Sequence, residues 1–403
     1  MKNVKGLFRQ KILWIGFALV AAIILILSSA LMGPTVSPTP KDLPVMLVMG
    51  DTGAKLPNGT ELNYGKLIQQ SLTEARPASA TAPTLKWTTA ASASAAAAAL
   101  DRQDAYAALI LPADLTQHLL SIATPQAASA EVELRINQGM NAAGANASVQ
   151  VTEKTVAAIN AQLRSQLSAE LKKRGDSLNT AQAAALAAPL QLKETIVHPI
   201  AANTAGGNAP VALTQLVWMA ALISSIIQLQ ASRKVRSGER SFSLVLGQIG
   251  TGLLFGLLAV AAILLLNVRV IGLDIPDFWP VAGFLLLAFC AFFLVQAAVL
   301  QYMGLVGMPL LFILFFFGLP ILSLPYEALP HMTRSLLYSW VPFRFSVEGL
   351  RDLFYFRQNL GWQEPARILS FIGAGGLFFL GLSPFVLKRR QRSASPAVSL
   401  SQE

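Results

Sequence analysis

The chain has 403 residues, of which 54% are hydrophobic and only 13% are charged. Soluble domains carry about 25% charged residues, so this composition excludes an ordinary soluble protein. The formal net charge of +10 indicates either nucleic-acid binding or a membrane surface, depending on where the charges lie.

Six apolar stretches without Asp, Glu, Lys or Arg are long enough to cross a bilayer, for which about 17–25 residues are needed. They are residues 12–32, 211–231, 242–266, 281–303, 306–324 and 368–387. The first follows a basic start, so a cleaved signal peptide is an alternative interpretation. Its apolar core of about 20 residues exceeds the roughly 7–15 of a signal peptide, which favours an uncleaved anchor.

Between the first two spans, residues 33–210 predict a separate domain of mixed α/β fold. Strands are predicted at 45–49, 106–111 and 131–136, and helices at 62–75, 90–100, 151–173 and 180–188. The 151–173 helix carries an apolar stripe at every fourth residue, formed by Ile159, Leu163, Leu167 and Leu171.

The predicted fold class is an α-helical polytopic membrane protein with six transmembrane helices and an extracellular mixed α/β domain inserted between the first and second. Residues 1–32 form the cytoplasmic N-terminus and first helix, and 33–210 the extracellular domain with a helical hairpin. Residues 211–387 form a five-helix membrane domain with an outer amphipathic segment at 325–367, and 388–403 a basic cytoplasmic tail.

The positions of the basic residues predict the orientation in the membrane. Four lie before the first span, four in the connector after the second span and four in the tail, against only Glu239 and Glu403. With six spans these segments fall on one side, which we expect to be the cytoplasm, so both termini are inside. Trp218, Trp279 and Trp362 fall near the predicted outer boundaries, where we expect interfacial anchors.

The whole charge excess is therefore confined to one membrane face. The extracellular domain has 13 basic and 13 acidic residues, so it contributes nothing to the net charge. The +10 indicates topology and contact with anionic lipid, and no nucleic-acid partner is predicted.

The outer segment 325–367 combines aromatic residues with arginine. On a helix, Phe343, Val347 and Leu350 share one face, and Arg344, Glu348 and Arg351 lie on another. Two interpretations remain open. The segment dips into the outer leaflet as short amphipathic helices, or it forms a packed extracellular cap.

No catalytic, cofactor or metal site is predicted. The chain lacks a Gly-x-x-x-x-Gly-Lys-Ser/Thr phosphate loop and a Gly-x-Ser-x-Gly nucleophile turn. It has one cysteine, Cys290, and three histidines without metal-ligand spacing. We therefore expect a protein that is not an enzyme; a membrane-bound enzyme would need a catalytic cluster that the extracellular domain does not show.

The predicted spans offer only hydroxyl and amide groups as polar side chains, whose simplest role is hydrogen bonding between helices. Among them are Gln215, Ser224, Ser225, Gln228, Gln248, Gln296 and Gln301. Ion-coupled transporters usually carry ionisable groups in the membrane interior. If the protein moves a substrate, its energy is expected to come from a separate ATPase docked on the basic connector.

Several short motifs in the extracellular domain resemble the YhgE/Pip (phage infection protein) family. They are residues 45–53, the stretch NGTELNYGK at 58–66, LKW at 85–87, YAALILPADL at 106–115 and NQG at 137–139. The membrane half resembles the wider ABC type-2 permease group through Leu-Pro at 329–330, WVPF at 340–343 and EGLR at 348–351. The chain differs from long YhgE/Pip members in having no extended coiled-coil stalk.

The resemblance implies a permease subunit of an ABC-type exporter, which moves a hydrophobic or amphipathic substrate outward in a bacterial cell membrane. It implies a cytoplasmic ABC ATPase partner and a homo- or heterodimer of permease chains. The ATPase-coupling candidates are Arg233, Lys234, Arg236, Glu239 and Arg240, and the outer-leaflet or exit candidates are Phe343, Arg344, Val347, Glu348, Leu350 and Arg351. The alternative is a surface scaffold or receptor without transport, such as a phage docking site or a secretion-machinery component.

Overall fold

The computed structural model describes residues 40–56, 59–74, 82–174, 178–234 and 242–393. The predicted first span, the basic N-terminal segment and the end of the tail lie outside these residues. The described chain divides into two compact units. The α/β unit contains residues 40–201 and 324–329, and the helical unit contains residues 202–323 and 330–393.

The α/β unit contains seven described strands and five described helices. The strands are β1 Leu43–Met49, β2 Ala54–Lys55, β3 Glu61–Leu62, β4 Leu85–Ala90, β5 Ala107–Leu111, β6 Ala130–Asn137 and β7 Leu190–Val197. The helices are α1 Tyr64–Glu74, α2 Ala93–Asp101, α3 Leu115–Ser121, α4 Ala142–Arg174 and α5 Thr180–Ala187. The three predicted strands and four predicted helices are confirmed, whereas β2, β3, β4, β7 and α3 are additional to the prediction.

Five of the strands form one mixed sheet in the order β4-β1-β5-β6-β7. Strands β4, β1 and β5 run parallel, β6 is antiparallel to β5, and β7 is parallel to β6. One row of paired residues, Leu47, Leu109 and Leu134, is buried in a common core. The α4 stripe belongs to the same core, with each of its four side chains at most 6% exposed.

The carboxylate of Asp51 joins the turn after β1 to the starts of two helices. Its Oδ1 accepts a hydrogen bond from the Thr116 amide at 3.0 Å, and its Oδ2 accepts from the Thr116 hydroxyl at 2.5 Å and the Gly65 amide at 2.9 Å. The first amide groups of a helix have no partner within the helix. One side chain therefore satisfies backbone donors in both α1 and α3.

Residues 324–329 are part of the α/β unit although the residues before and after them belong to the helical unit. The Tyr106 hydroxyl donates to Glu327 Oε2 at 2.7 Å, and the Lys41 amide donates to the Glu327 carbonyl at 3.3 Å. The Tyr106 ring is 1% exposed, and a Cβ atom at Gly144 would overlap it. This part of the unit therefore combines segments that are more than 200 residues apart in sequence.

The helical unit is built from six described helices of eight residues or more. They are α6 Ala209–Lys234, α7 Phe242–Leu265, α8 Phe278–Met303, α9 Met308–Ser323, α10 Pro342–Tyr355 and α11 Glu364–Ser393. A π-helical turn, Leu266–Ile271, extends α7, and a 3₁₀ turn, Gly304–Gly307, joins α8 to α9.

Four segments of the described chain are long and apolar enough to cross a membrane. They are Ala209–Lys234, Phe242–Ile271, Phe278–Ser323 and Glu364–Val386. The third has 46 residues and contains both the fourth and the fifth predicted spans. Its helix is interrupted at Gly304, whose φ of +63° is a conformation that glycine adopts readily.

Close backbone approach fixes the partners of α8. Gly376 of α11 lies against the backbone of Leu294, and Gly373 lies against Ala291. On another side, Gly252 and Gly256 of α7 face Phe293 and Phe289, whose rings stack at 6.0 Å. Small residues allow membrane helices to pack at short distance, which is the main source of their association in lipid.

We predict that Asp51→Ala lowers the free energy of unfolding of the α/β unit by about 2 kcal/mol or more, because charged hydrogen bonds to buried donors are lost. Hydrogen exchange on the full chain in detergent measures this. The amides of Gly65 and Thr116 should lose protection. Asp104→Ala is the matched control, since Asp104 forms only an exposed ion pair with Arg102 at 2.9 Å. Equal protection in the two variants would contradict the prediction.

Candidate functional site

The contacts of the helical unit define two opposite ends. At the first, the Asp274 amide donates to the Asn203 carbonyl at 3.3 Å, which brings the loop after α7 to the start of α6. At the second, Gly304 after α8 lies against the Arg233 guanidinium near the end of α6. Helices α6, α7 and α8 therefore alternate in direction. We call the first the α10 end, because α10 lies there, and the second the basic end.

The basic end holds two of the ATPase-coupling candidates. Arg233 and Lys234 are exposed at the last turn of α6, whereas Arg236, Glu239 and Arg240 lie outside the described residues. Helix α11 runs parallel to α8, because Gly373 meets Ala291 and Gly376 meets Leu294. The C-terminal end of α11 thus belongs to the same end as Arg233.

The apolar exit candidates lie on the buried face of α10. Phe343, Val347 and Leu350 are each 0% exposed. The Phe343 ring lies 4.5 Å from that of Trp218 on α6 and 5.8 Å from that of Phe292 on α8, measured between ring centres. A Cβ atom at Gly349 would overlap the Phe284 ring. Within the described chain, this face of α10 therefore packs against the other helices.

The interpretation of Trp218 as an interfacial anchor is wrong. Its side chain is 0% exposed and packs edge-on against Phe292 and Phe343. The other two tryptophans expected near the outer boundary are exposed. The exposed fraction is 80% for Trp279 and 68% for Trp362. A tryptophan near a helix start fits either role by sequence, because only the position of the neighbouring helices decides whether its ring is covered.

The charged exit candidates form a half-buried group on the other face of α10. Arg344 Nε and Glu348 Oε1 are 2.6 Å apart, and the two side chains are 31% and 28% exposed. The Arg344 guanidinium also lies 4.8 Å from the centre of the Tyr338 ring. Arg351 Nη2 donates to the carbonyl of Leu322 in α9 at 2.9 Å. The group thus fixes α10 to the end of α9.

Partial burial and the neighbouring charges act in opposite directions on this ion pair. Burial raises the pKa of the Glu348 carboxyl above its ordinary value of 4.5, although Arg344 and Arg351 favour its ionised form. Burial opposes the charge of Arg344, but the attraction of Glu348 raises the pKa of that guanidinium. Folding therefore favours the neutral form of the Glu348 carboxyl, whereas it favours the charged form of the Arg344 guanidinium.

A polar seam runs along α6 at the centre of the unit. It consists of Thr214, Trp218, Ala221, Ser225, Gln228 and Ser232, which recur at alternating spacings of four and three and are all at most 8% exposed. Such spacing is that of the contact seam in packed helices. The seam therefore faces other helices along the full length of α6.

Hydrogen bonds link the polar seam to three other helices. The Thr214 hydroxyl lies 2.9 Å from that of Ser346 on α10, and the Gln296 amide of α8 donates to the Trp218 carbonyl at 3.3 Å. Gln228 Nε2 donates to the Gln248 carbonyl and the Thr251 hydroxyl of α7, at 3.0 and 2.8 Å. The Ser225 hydroxyl also donates to the Phe293 carbonyl of α8 at 3.4 Å, so the expected role between helices is observed for Ser225, Gln228 and Gln296. The alternating four-and-three spacing of the seam is present in the sequence and is the signal from which the seam could be predicted.

A family model described as ABC-2 family transporter protein matches residues 11–385. The chain belongs to the ABC-2 transporter family. The family indicates a membrane component of ABC transport, and it implies pairing with an ABC ATPase subunit. No curated protein and no solved structure gives a significant match to the chain.

We predict a pH-dependent contribution of Glu348 to stability. Because its pKa is raised in the folded protein, the folded state binds more protons. The stabilisation is complete below the ordinary pKa of 4.5 and is lost as pH rises through the folded pKa. The thermal unfolding midpoint of the native chain should therefore fall relative to that of Glu348→Gln as pH is raised from 4.5 toward about 7. Parallel pH profiles for the two proteins would contradict this assignment.

Proposed function

We propose that the chain is the permease subunit of an ABC exporter and moves a hydrophobic or amphipathic substrate outward. The observation that carries this proposal is the family match over residues 11–385. The arrangement of the helical unit supports it, because exposed cations and a buried aromatic helix lie at opposite ends. The family match favours transport over the non-transporting scaffold that the sequence left open.

The basic end is proposed as the cytoplasmic surface that meets the ATPase. Arg233 and Lys234 project from it, and cationic residues are concentrated in cytoplasmic loops. The proposed six spans with both termini inside combine the first predicted span, residues 12–32, with five helices of the described chain, the fourth and fifth spans being the two helices on either side of Gly304. An exposed cationic surface suits an acidic partner face and accelerates association.

The α10 end is proposed as the outer end, close to substrate exit. Exposed Trp279 and Trp362 at this end suit a membrane–water interface. The Arg344–Glu348 ion pair lies on α10, outside the four apolar segments. A substrate leaving between helices would meet this charged group last.

Within the family we propose the YhgE/Pip branch, on the motifs of the α/β unit. Several of these motifs occupy turns that the fold needs, since Asp51 and Gly65 form the connection described above. As residues 33–210 lie between two predicted spans with both termini inside, the α/β unit is proposed to be extracellular. There it gates the exit or binds an extracellular partner. Two permease chains are proposed to form the complete transporter.

Co-purification with an ATPase tests the proposal. Each ABC ATPase of the source organism is co-expressed with the full chain, and the complex is isolated in mild detergent and assayed for ATP hydrolysis. We expect a stable complex with stimulated hydrolysis. The double variant Arg233→Glu/Lys234→Glu should bind the ATPase at least about tenfold more weakly, because charge reversal at an interface is repulsive.

Arg269→Glu is the matched control, because Arg269 is a cation in the π-helical turn at the opposite end of α7. This variant should bind the ATPase as the native chain does. No complex with any ABC ATPase would overturn the proposed function. An unchanged affinity in the double variant would remove the basic end as the docking surface.

A further inference from the structure

Four polar atoms on helices α6, α7 and α8 are buried without a hydrogen-bond partner among the described residues. They are the indole Nε1 of Trp218 and the amide oxygens of Gln228, Gln248 and Gln296. Trp218 and Gln296 are 0% exposed, and Gln228 and Gln248 are 6% and 8% exposed. Buried polar groups are nearly always hydrogen-bonded, and each exception requires an explanation.

Helix association alone does not explain these atoms. The NH₂ groups of Gln228 and Gln296 already bind the neighbouring helices, whereas their oxygens add nothing to that packing. A buried unpartnered polar group raises the free energy of the state that holds it. An apolar side chain of similar length would fill the same space without that cost.

The four atoms form two pairs along the polar seam. Gln296 donates to the Trp218 carbonyl, so the indole N–H and the Gln296 oxygen belong to adjacent residues. Gln228 donates to the Gln248 carbonyl, so their amide oxygens also belong to adjacent residues. Positions 218 and 228 are ten residues apart on α6, which corresponds to about 15 Å along the helix axis.

The chemistry of the pairs selects one class of ligand. Three atoms accept hydrogen bonds and one donates, and the predicted spans contain no ionisable carboxylate or cation. A charged group would be buried without a counter-ion, which is costly. A hydroxyl group can donate to a glutamine oxygen and accept from an indole N–H at once.

We propose that the polar seam binds the hydroxyl groups of an uncharged amphiphile during transport. This proposal rests on the proposed function and names the substrate class. In this structure the seam is covered by α7, α8 and, near its start, α10, so binding at the two pairs requires α7 or α8 to separate locally from α6. The apolar chain of the ligand would then contact the aliphatic and aromatic side chains beside the seam.

Photolabelling tests the proposal on the full chain in phosphatidylcholine nanodiscs. The probes are a long-chain alcohol with a diazirine in its chain and the methyl ether of the same alcohol, which cannot donate a hydrogen bond. Mass spectrometry locates the labelled peptides. We expect the alcohol to label α6, α7 and α8 about fivefold more than the ether does, the ratio that one neutral hydrogen bond supports.

Variants show whether the preference depends on the seam. Gln228→Met and Gln296→Met should remove the preference for the alcohol. Gln230→Met should retain it, because Gln230 is an exposed residue of the same helix. Trp218→Phe is a second arm in case a glutamine variant does not fold. It keeps an aromatic ring beside Phe292 and Phe343 and removes only the N–H donor, and it should also lower the preference.

Equal labelling of the native chain by the alcohol and the ether would overturn the proposal. An unchanged preference in Gln228→Met, Gln296→Met and Trp218→Phe would overturn it as well. Loss of stability without any change in the labelling ratio would assign these side chains to helix packing alone. These results are independent of ATPase binding. A chain that binds its ATPase but shows no alcohol preference refutes only the seam proposal, and one that binds no ATPase refutes the proposed function.

Discussion

The helical unit depends on the contact of Trp218 with Phe292 and Phe343. These three rings come from α6, α8 and α10, and all three are fully buried. An aromatic pair contributes about 0.5–1.5 kcal/mol beyond the area that it buries. Hydrophobic burial does little to hold helices together in lipid, because the alternative contact with lipid tails is also apolar, so close packing of this kind determines which helices associate. The contact places α10 at one end of α6, and the exposed cations are thereby left at the other.

This arrangement separates three kinds of interaction along one helix. Near the start of α6, the seam residues Thr214 and Trp218 contact α8 and α10 by aromatic packing and a hydroxyl contact. Farther along, Gln228 binds α7 by hydrogen bonds, and the end of the helix exposes Arg233 and Lys234. The charged residues of the four apolar segments, Glu364 included, lie near the segment ends, whereas ion-coupled transporters usually carry ionisable groups in the membrane interior. Energy from an ATPase partner, which the family implies, agrees with that composition. The glutamines are then available for neutral hydrogen bonding.

Local patterns in the sequence predicted much of the α/β unit. Strand β6 alternates apolar and polar residues, and the helix from Ile159 to Leu171 has an apolar residue at every fourth position. Each pattern gives the element one apolar face, and that face is buried in the core. Strand β7 was missed because its residues alternate weakly and contain Lys193 and Glu194, and it is defined by pairing with β6. Trp218 and the apolar face of α10 could not be placed, because amphipathic and aromatic residues suit lipid, water interfaces and helix packing equally well. The contacts that decide between these, such as Gly349 against Phe284, join residues far apart in sequence.

In the proposed transporter the basic end faces the cytoplasm and the α10 end faces outward. Single-cysteine labelling in intact cells tests this most directly, because Cys290 is the only native thiol and can be replaced by alanine. In that background, Arg269→Cys and Trp362→Cys should react with a membrane-impermeant maleimide added outside, whereas Arg233→Cys should react only after the cells are permeabilised. Labelling of Arg233→Cys in intact cells, with protection of the other two, would contradict the account.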